Sequence, residues 1–355
     1  MRLRILSLAV ALLLLLGLAG CSNTPRPASG SSSAASQPQP AASASAPATR
    51  QVVDMLGRTV TLPETVETAA IIYGVATNLM LPLGVADRLV AINASWGILN
   101  VVAPELADLD TVGQGAVDLE KLAQMNPDVF IHRANDQRTI TAVEKLGIPV
   151  VAIEPEDTDK MLETLLLLGE VFGVTERAVE LVAYYNDKVQ FAQDLVADIP
   201  ENARKTAIMM GSELGKVAGG DMLQSAMIET AGGINMARDI QTGQTWPVAG
   251  TEQIFSWNPD YIFCTNSKTS DYTPEGLLQD PHWSELAAVQ GAHLYKMPST
   301  VDSWEFPGLA TCIGFLWMLN QMYPERYDDA AFAAEVDAYY QLAYGQTFSR
   351  EFLGY

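Results

Sequence analysis

Two glutamates, Glu120 and Glu252, each open a stretch with the same grammar. Glu120 leads through Leu122 to Asn126-Pro127-Asp128 and then Val129-Phe130-Ile131, and Glu252 leads through Ile254 to Asn258-Pro259-Asp260 and then Tyr261-Ile262-Phe263. Proline cannot continue a helix and pushes the residue before it towards extended backbone, so each copy predicts helix, sharp turn and buried strand. Asp118 and Thr251 stand where an N-cap belongs, which places both carboxylates at the positive end of a helix dipole. A glutamate there can stabilise a helix end and do nothing more. Its recurrence at one spacing, once in each half, points instead to a matched pair of surface carboxylates.

Other residues offer chemistry of a different kind. Trp96, Trp246 and Trp304 fall in predicted loops beside strand ends, where an aromatic face can cover a flat or aryl-bearing ligand or serve as core. Arg133 can meet a ligand carboxylate or remain a solvated side chain. His132 and Tyr73 are the candidates for coordinating a metal, with a hydrogen-bonded cleft or core role as the alternative. Lys216 and Lys268 are weaker candidates.

Catalytic patterns are missing. Residues Gly211 to Val217 resemble a phosphate loop, but the spacing is one short and no Ser or Thr follows Lys216. Gly113 to Asp118 starts like a dinucleotide fingerprint and puts Asp where the last Gly belongs. There is no Gly-x-Ser-x-Gly, His-Glu-x-x-His or Cys-x-x-Cys. With 3 His in 355 residues, a His-rich site for a bare metal ion is not expected, nor is a cofactor. These observations favour a binding protein over an enzyme.

The chain begins with Arg2, Arg4 and an apolar run from Ile5 to Leu16, shorter than the ~20 residues of a membrane-spanning helix, so residues 1–20 read as a signal peptide. Leu18-Ala19-Gly20-Cys21 resembles the lipobox of bacterial lipoproteins, which implies cleavage before Cys21 and lipid attachment to its thiol. Residues 21–50 then form a Ser/Ala/Pro tether with a mean reach of about 30 Å. The full chain carries 21 basic and 42 acidic residues, a net charge of -21, which disfavours nucleic acid and anionic lipid as partners. Cys264 and Cys312 read as two buried thiols.

The rest alternates strands with helices and predicts an α/β protein with mainly parallel sheets. Residues 51–156 form an N-terminal lobe that opens with a hairpin around Gly57-Arg58. Residues 157–199 are connecting helices, Thr158 to Phe172 and Thr175 to about Ala197. The second is a stiff rod of about 35 Å with Ala178, Leu181, Val182, Tyr185, Val189, Ala192 and Val196 on one face. Residues 200–355 form a C-terminal lobe. Ligands of such sheets sit beyond the carboxyl ends of the strands, where Tyr73, Trp96, His132 and Arg133 fall.

From about Val52 onward the sequence resembles the class III, helical-backbone substrate-binding proteins of bacterial ABC importers, which serve ferric siderophores, vitamin B12 and haem. The matching pieces are the Gly57-Arg58 hairpin with Leu62-Pro63, the two Glu/Asn-Pro-Asp blocks, the long joining helix and Gly232-Gly233-Ile234-Asn235. The resemblance implies two Rossmann-like lobes joined by one long helix. It also implies a metal chelate as ligand, an iron(III)-siderophore ahead of cobalamin or haem, and no enzymatic activity. The implied partner is a dimeric permease with its ATPase, onto whose arginines Glu120 and Glu252 dock. The expected protein is a monomer, exported and lipid-anchored to the outer face of the bacterial cytoplasmic membrane, or periplasmic.

Overall fold

The computed structural model describes residues 48–92, 98–106, 108–113, 115–241, 243 and 245–355. The signal segment, Cys21, the tether up to residue 47 and Trp96 lie outside them. The N-terminal lobe starts with the antiparallel hairpin β1 (Thr49–Val53) and β2 (Thr59–Pro63). It continues through β3 (Ala69–Ile71), α1 (Gly74–Leu83), β4 (Leu89–Ala91), α2 (Leu99–Val102), α3 (Leu119–Met125), β5 (Val129–Arg133), α4 (Gln137–Glu144) and β6 (Val150–Ile153). Two connecting helices follow, α5 (Thr158–Phe172) and α6 (Thr175–Val196). The C-terminal lobe holds β7 (Thr206–Met210), α7 (Leu223–Thr230), β8 (Ile234–Asn235), α8 (Thr251–Trp257), β9 (Tyr261–Cys264), α9 (Pro274–Gln279), α10 (Ala287–Gln290) and β10 (Leu294–Lys296). Three helices close it, α11 (Thr311–Met322), α12 (Asp329–Tyr344) and α13 (Arg350–Leu353).

Each lobe has one four-stranded parallel sheet, ordered β4-β3-β5-β6 and β8-β7-β9-β10. Counted within each lobe, both orders read second, first, third, fourth, so the duplicated motif belongs to a duplicated topology. Val129 and Tyr261, the first strand residue of each copy, pair with Ala69 and Ala207. The order in which strands are added reverses between the first and third strands, which opens a crevice at their carboxyl ends.

The Asn-Pro-Asp turn is built alike in both lobes. Leu122 and Ile254 are buried under the short helices α3 and α8. Asn126 and Asn258 end those helices in the left-handed region, at φ 45° in both cases. The expected extended conformation before proline is therefore corrected. Proline forbids only the right-handed helix there, and Asn tolerates the left-handed alternative that also lets its N–H close the last turn. Asp128 Oδ2 then accepts the N–H groups of Glu67 and Thr68 at 2.8 and 2.9 Å, while Asp128 N–H donates to Thr68 Oγ1. Asp260 repeats the clamp on Thr206, accepting from its N–H and Oγ1–H at 2.9 Å each. Asp118 caps α3 by accepting from Lys121 N–H, as expected. Thr251 does not cap α8, because it is the first helical residue and Gly250 at φ 79° takes the cap position.

The Gly57-Arg58 turn is explained by Asp54. This buried carboxylate accepts from the N–H groups of Leu56 and Arg58, and from Ala152 N–H at the lobe's edge strand. Arg58 also pairs with Asp54 and reaches Glu144 at 2.7 Å, so the hairpin is stitched onto β6 and α4.

Helix α6 buries Ala178, Leu181, Tyr185, Ala192 and Val196, the predicted face. One continuous apolar core runs past it from Ile71 and Leu79 in the first lobe to Phe263, Phe315 and Tyr339 in the second. Cys264 and Cys312 are free and buried, as the sequence suggested. No helix among the described residues is long and apolar enough to cross a membrane.

The Asp clamps should matter for stability in equal measure. Asp128→Ala and Asp260→Ala are each expected to cost about 1–3 kcal/mol, since each leaves donors unsatisfied. Urea denaturation of the single and double variants checks this, with near-additive losses expected because the sites lie in separate lobes.

Candidate functional site

The carboxyl ends of the two sheets face one another across a cleft of about 560 Å³. From the first lobe come Tyr73 after β3, Asn135 after β5, and Glu154, Glu156 and Asp157 after β6, with Lys160 in the first turn of α5. From the second come Asp221, Met222 and Gln224 at the start of α7, Gly243, Thr245 and Trp246 ahead of α8, and Phe306 with Pro307 after β10. Both walls are thus built from residues that follow strand ends.

The polar groups are held by local bonds. Tyr73 leaves β3 as the N-cap residue of α1 and donates its hydroxyl to Glu156 Oε1 at 3.1 Å. Burial and that carboxylate raise the phenol pKa, which works against a phenolate ligand; Arg133 at the rim opposes the rise. Asp157 caps α5 by accepting from Lys160 N–H, and Lys160 Nζ lies 3.1 Å from Glu154. Asp221 Oδ2 accepts from Gly243 N–H and closes the loop that brings Trp246 to the cleft.

Trp246 has φ 58°, a left-handed backbone that is costly for a large side chain. Its ring lies against Gly211 at the end of β7, where a Cβ would come within 2.8 Å of the indole. Gly211 is required for this close approach. Trp246 and an exposed Phe306 give the second lobe two aromatic surfaces on the cleft, with Tyr73 on the first lobe.

Other predicted cleft residues sit elsewhere. Trp304 is 1% exposed and belongs to the core, donating Nε1–H to Tyr340 at 3.1 Å and packing on Trp317 and Phe332. The loop after β10 tucks Trp304 beneath the C-terminal helices and turns Phe306 outward. His132 is also turned into its lobe, stacked on Phe130 and 4% exposed. Burial pushes the imidazole pKa down, while its hydrogen bond holds Asp136 at about 2, so a neutral ring donates Nε2–H to an ionised Asp136 at 3.0 Å. Arg133 is exposed, 3.9 Å from Asp136, and is not part of the wall. Trp96 lies outside the described residues. The sequence reading missed the run Glu154-Pro155-Glu156-Asp157, although its place just past β6 is where a parallel sheet presents its ligand groups.

Glu120 and Glu252 are both exposed, each the second residue of its helix. Among the described residues neither has an ion pair. Because α3 and α8 run back into β5 and β9 through a tight turn, their N-termini lie towards the cleft edge of each sheet.

The sequence profile of the periplasmic binding proteins matches residues 70–301, across both lobes and the helix between them. The chain belongs to the periplasmic binding protein family. Among relatives of this periplasmic binding protein, the molybdate-binding protein MolA of Haemophilus influenzae is 27% identical, covering 84% of this chain and 91% of MolA. The iron(3+)-hydroxamate-binding protein FhuD of Bacillus subtilis is 24% identical, covering 53% of this chain and 61% of FhuD. A periplasmic solute binding protein from Veillonella parvula superposes with a TM-score of 0.75 at 23% identity, covering 86% of this chain and 96% of that one. The fold is that of class III solute-binding proteins of ABC importers, and the protein is an exported binding protein served by a permease, not an enzyme.

Behind the cleft wall, Glu305 is fully buried. Its Oε1 accepts from Asn266 N–H at 2.8 Å, its Oε2 has no partner among the described residues, and its backbone carbonyl accepts from Gln224 at 2.7 Å. Desolvation pushes its pKa up to about 7 from the ordinary 4.5. The folded protein therefore holds this proton more tightly than the unfolded chain, so Glu305 favours the fold below pH 4.5 and that contribution fades as pH rises to about 7. The gap corresponds to roughly 3 kcal/mol. Relative to the parent, Glu305→Gln should gain stability steadily between pH 4.5 and 7, as thermal unfolding across that range would show; a constant difference would contradict the assignment.

Proposed function

We propose that this periplasmic binding protein captures a metal chelate of the iron(III)-siderophore type between its lobes and delivers it to an ABC permease. The observation that carries the reading is the cleft itself. A space of about 560 Å³ between aromatic surfaces suits a whole chelate rather than a single ion. Among the described residues no three His, Cys, Asp or Glu side chains converge on a metal position, so the wall offers contacts to a chelator's periphery rather than ligands to its iron. Cobalamin or haem would be held in the same manner. A molybdate cargo is the competing reading, favoured by the nearly full-length similarity to MolA.

In this reading Glu120 and Glu252 are the docking groups. Two exposed carboxylates, one per lobe and alike in local geometry, match arginines of a two-fold permease, with bidentate pairs giving direction and register. Cys21 anchors the exported chain to the membrane through a lipid.

Titration of the purified protein's tryptophan fluorescence tests the cargo: saturable quenching is expected with a ferric trihydroxamate, cobalamin or haem, and quenching by molybdate alone would overturn the reading. Glu120→Arg with Glu252→Arg should abolish uptake in cells while leaving the ligand's Kd within about twofold, because exposed charges in the docking face do not touch the cleft. Trp246→Ala should weaken binding by about tenfold or more, the loss of one aromatic contact.

A further inference from the structure

We infer that the cargo is a chelate without net negative charge that turns a cationic group towards the cleft wall formed by Glu154, Glu156 and Asp221. This rests on the reading of the protein as a chelate-binding component. The interlobe cleft comes from the fold, and the carboxylates decide which cargo charge it accepts.

The cleft wall holds four carboxylates, Glu154, Glu156, Asp157 and Asp221, against one ammonium, Lys160. Lys160 is engaged by Glu154 at 3.1 Å. Three negative charges remain, and two remain even when the rim residue Arg133 is counted, although Arg133 faces Asp136 at 3.9 Å. Asp157 is partly neutralised as the cap of α5. Glu156 and Asp221 stand on opposite lobes and are exposed to the space between them. Tyr73 donates to one oxygen of Glu156 and Gly243 to one oxygen of Asp221, and a carboxylate has about four acceptor sites, so each can still receive N–H groups of a cargo.

Of the basic residues on the loops after β7 and β9, Lys216 pairs with Glu213 at 2.6 Å and Lys268 lines a separate hollow with Lys296. Residues 93–97, 107, 114, 242 and 244, outside the described ones, contain no Lys, Arg or His. The chain as a whole carries -21, so the long-range field has the same sign as the cleft. A compact oxyanion would meet this wall without an arginine or lysine free of a carboxylate. A tris-catecholate ferric complex, with three negative charges, would meet it less favourably still. A ferric trihydroxamate that ends in an ammonium group matches it: the neutral iron centre lies against Trp246, Tyr73 and Phe306, and the ammonium reaches Glu156 or Asp221.

The experiment compares four probes on the purified protein by fluorescence titration or calorimetry. They are a linear iron(III) trihydroxamate with a terminal ammonium, its N-acetylated neutral form, an iron(III) tris-catecholate and molybdate. The ammonium form should bind about tenfold more tightly than the acetylated form, and the preference should shrink in high salt. Glu156→Gln and Asp221→Asn should each reduce that preference severalfold, read as the ratio of the two affinities, since a general loosening of the cleft lowers both alike; a ratio unchanged in both variants would overturn the role given to these carboxylates. Equal affinity for the two hydroxamates, or tighter binding of the tris-catecholate, would overturn the charge inference and leave chelate binding standing. Binding of molybdate alone, or silence from every probe, would overturn the chelate reading and this inference with it.

Discussion

The structure depends on one apolar core that is continuous through α6. The buried face of this helix is covered by both lobes, so separating them would expose Leu181 and Tyr185 together with their neighbours on α11 and α12. Polar ties reinforce the joint. Tyr185 and Thr311 hydrogen-bond at 3.2 Å, Tyr184 and Lys188 both hold Glu335, and Arg177 reaches carbonyls of Pro82 and Leu342. A joint of this kind favours small adjustments over wide opening, because the apolar surface at stake is large. The cleft is therefore largely formed before cargo arrives, and binding spends little free energy on ordering the lobes.

Given that joint, the duplicated strand order determines where function can reside. It aims the carboxyl ends of both sheets into one space and sets the N-termini of α3 and α8 towards the same edge. The groups proposed to meet the cargo and to dock then follow from one topological choice made twice. The loop after β10 is held to this frame by buried carboxylates: Asp302 accepts hydroxyls from Tyr339, Tyr340 and Tyr344 at 2.6 to 2.9 Å, and Glu305 ties to Asn266. Burying acids is costly, and the hydrogen bonds offset the cost for Asp302 more fully than for Glu305, whose second oxygen has no donor among the described residues.

Much of this could be read from the residues. The Glu/Asn-Pro-Asp copies, the apolar face of α6, the Gly57-Arg58 hairpin and the alternation of strands with helices are local patterns, and local patterns survive into the fold. Tyr73 and Trp246 reached the cleft because each follows or precedes an element whose end was legible. Trp304 and His132 did not. Whether a side chain beside a strand end faces the cleft or the core depends on how the chain packs there: Tyr340, 36 positions on, holds Trp304 in the core, while His132 turns into its own lobe to stack on Phe130 and bond Asp136. Thr251 failed as a cap for a smaller reason: Gly250 could adopt a backbone that Thr could not, and the helix began one residue earlier.

The amino-acid order alone decided the periodicities: which segments are helices, which are buried strands, and that the Asn-Pro-Asp turn occurs twice. Those outcomes depend on neighbours within a few residues, through backbone sterics and the spacing of apolar side chains. Tertiary structure alone decided which charges meet across the cleft. Glu156 and Asp221 are 65 positions apart in the chain, and they share a cavity because a common core holds two sheets of the same topology with their carboxyl ends towards one cleft. Distance along the chain carries no information about such a meeting, whereas packing does.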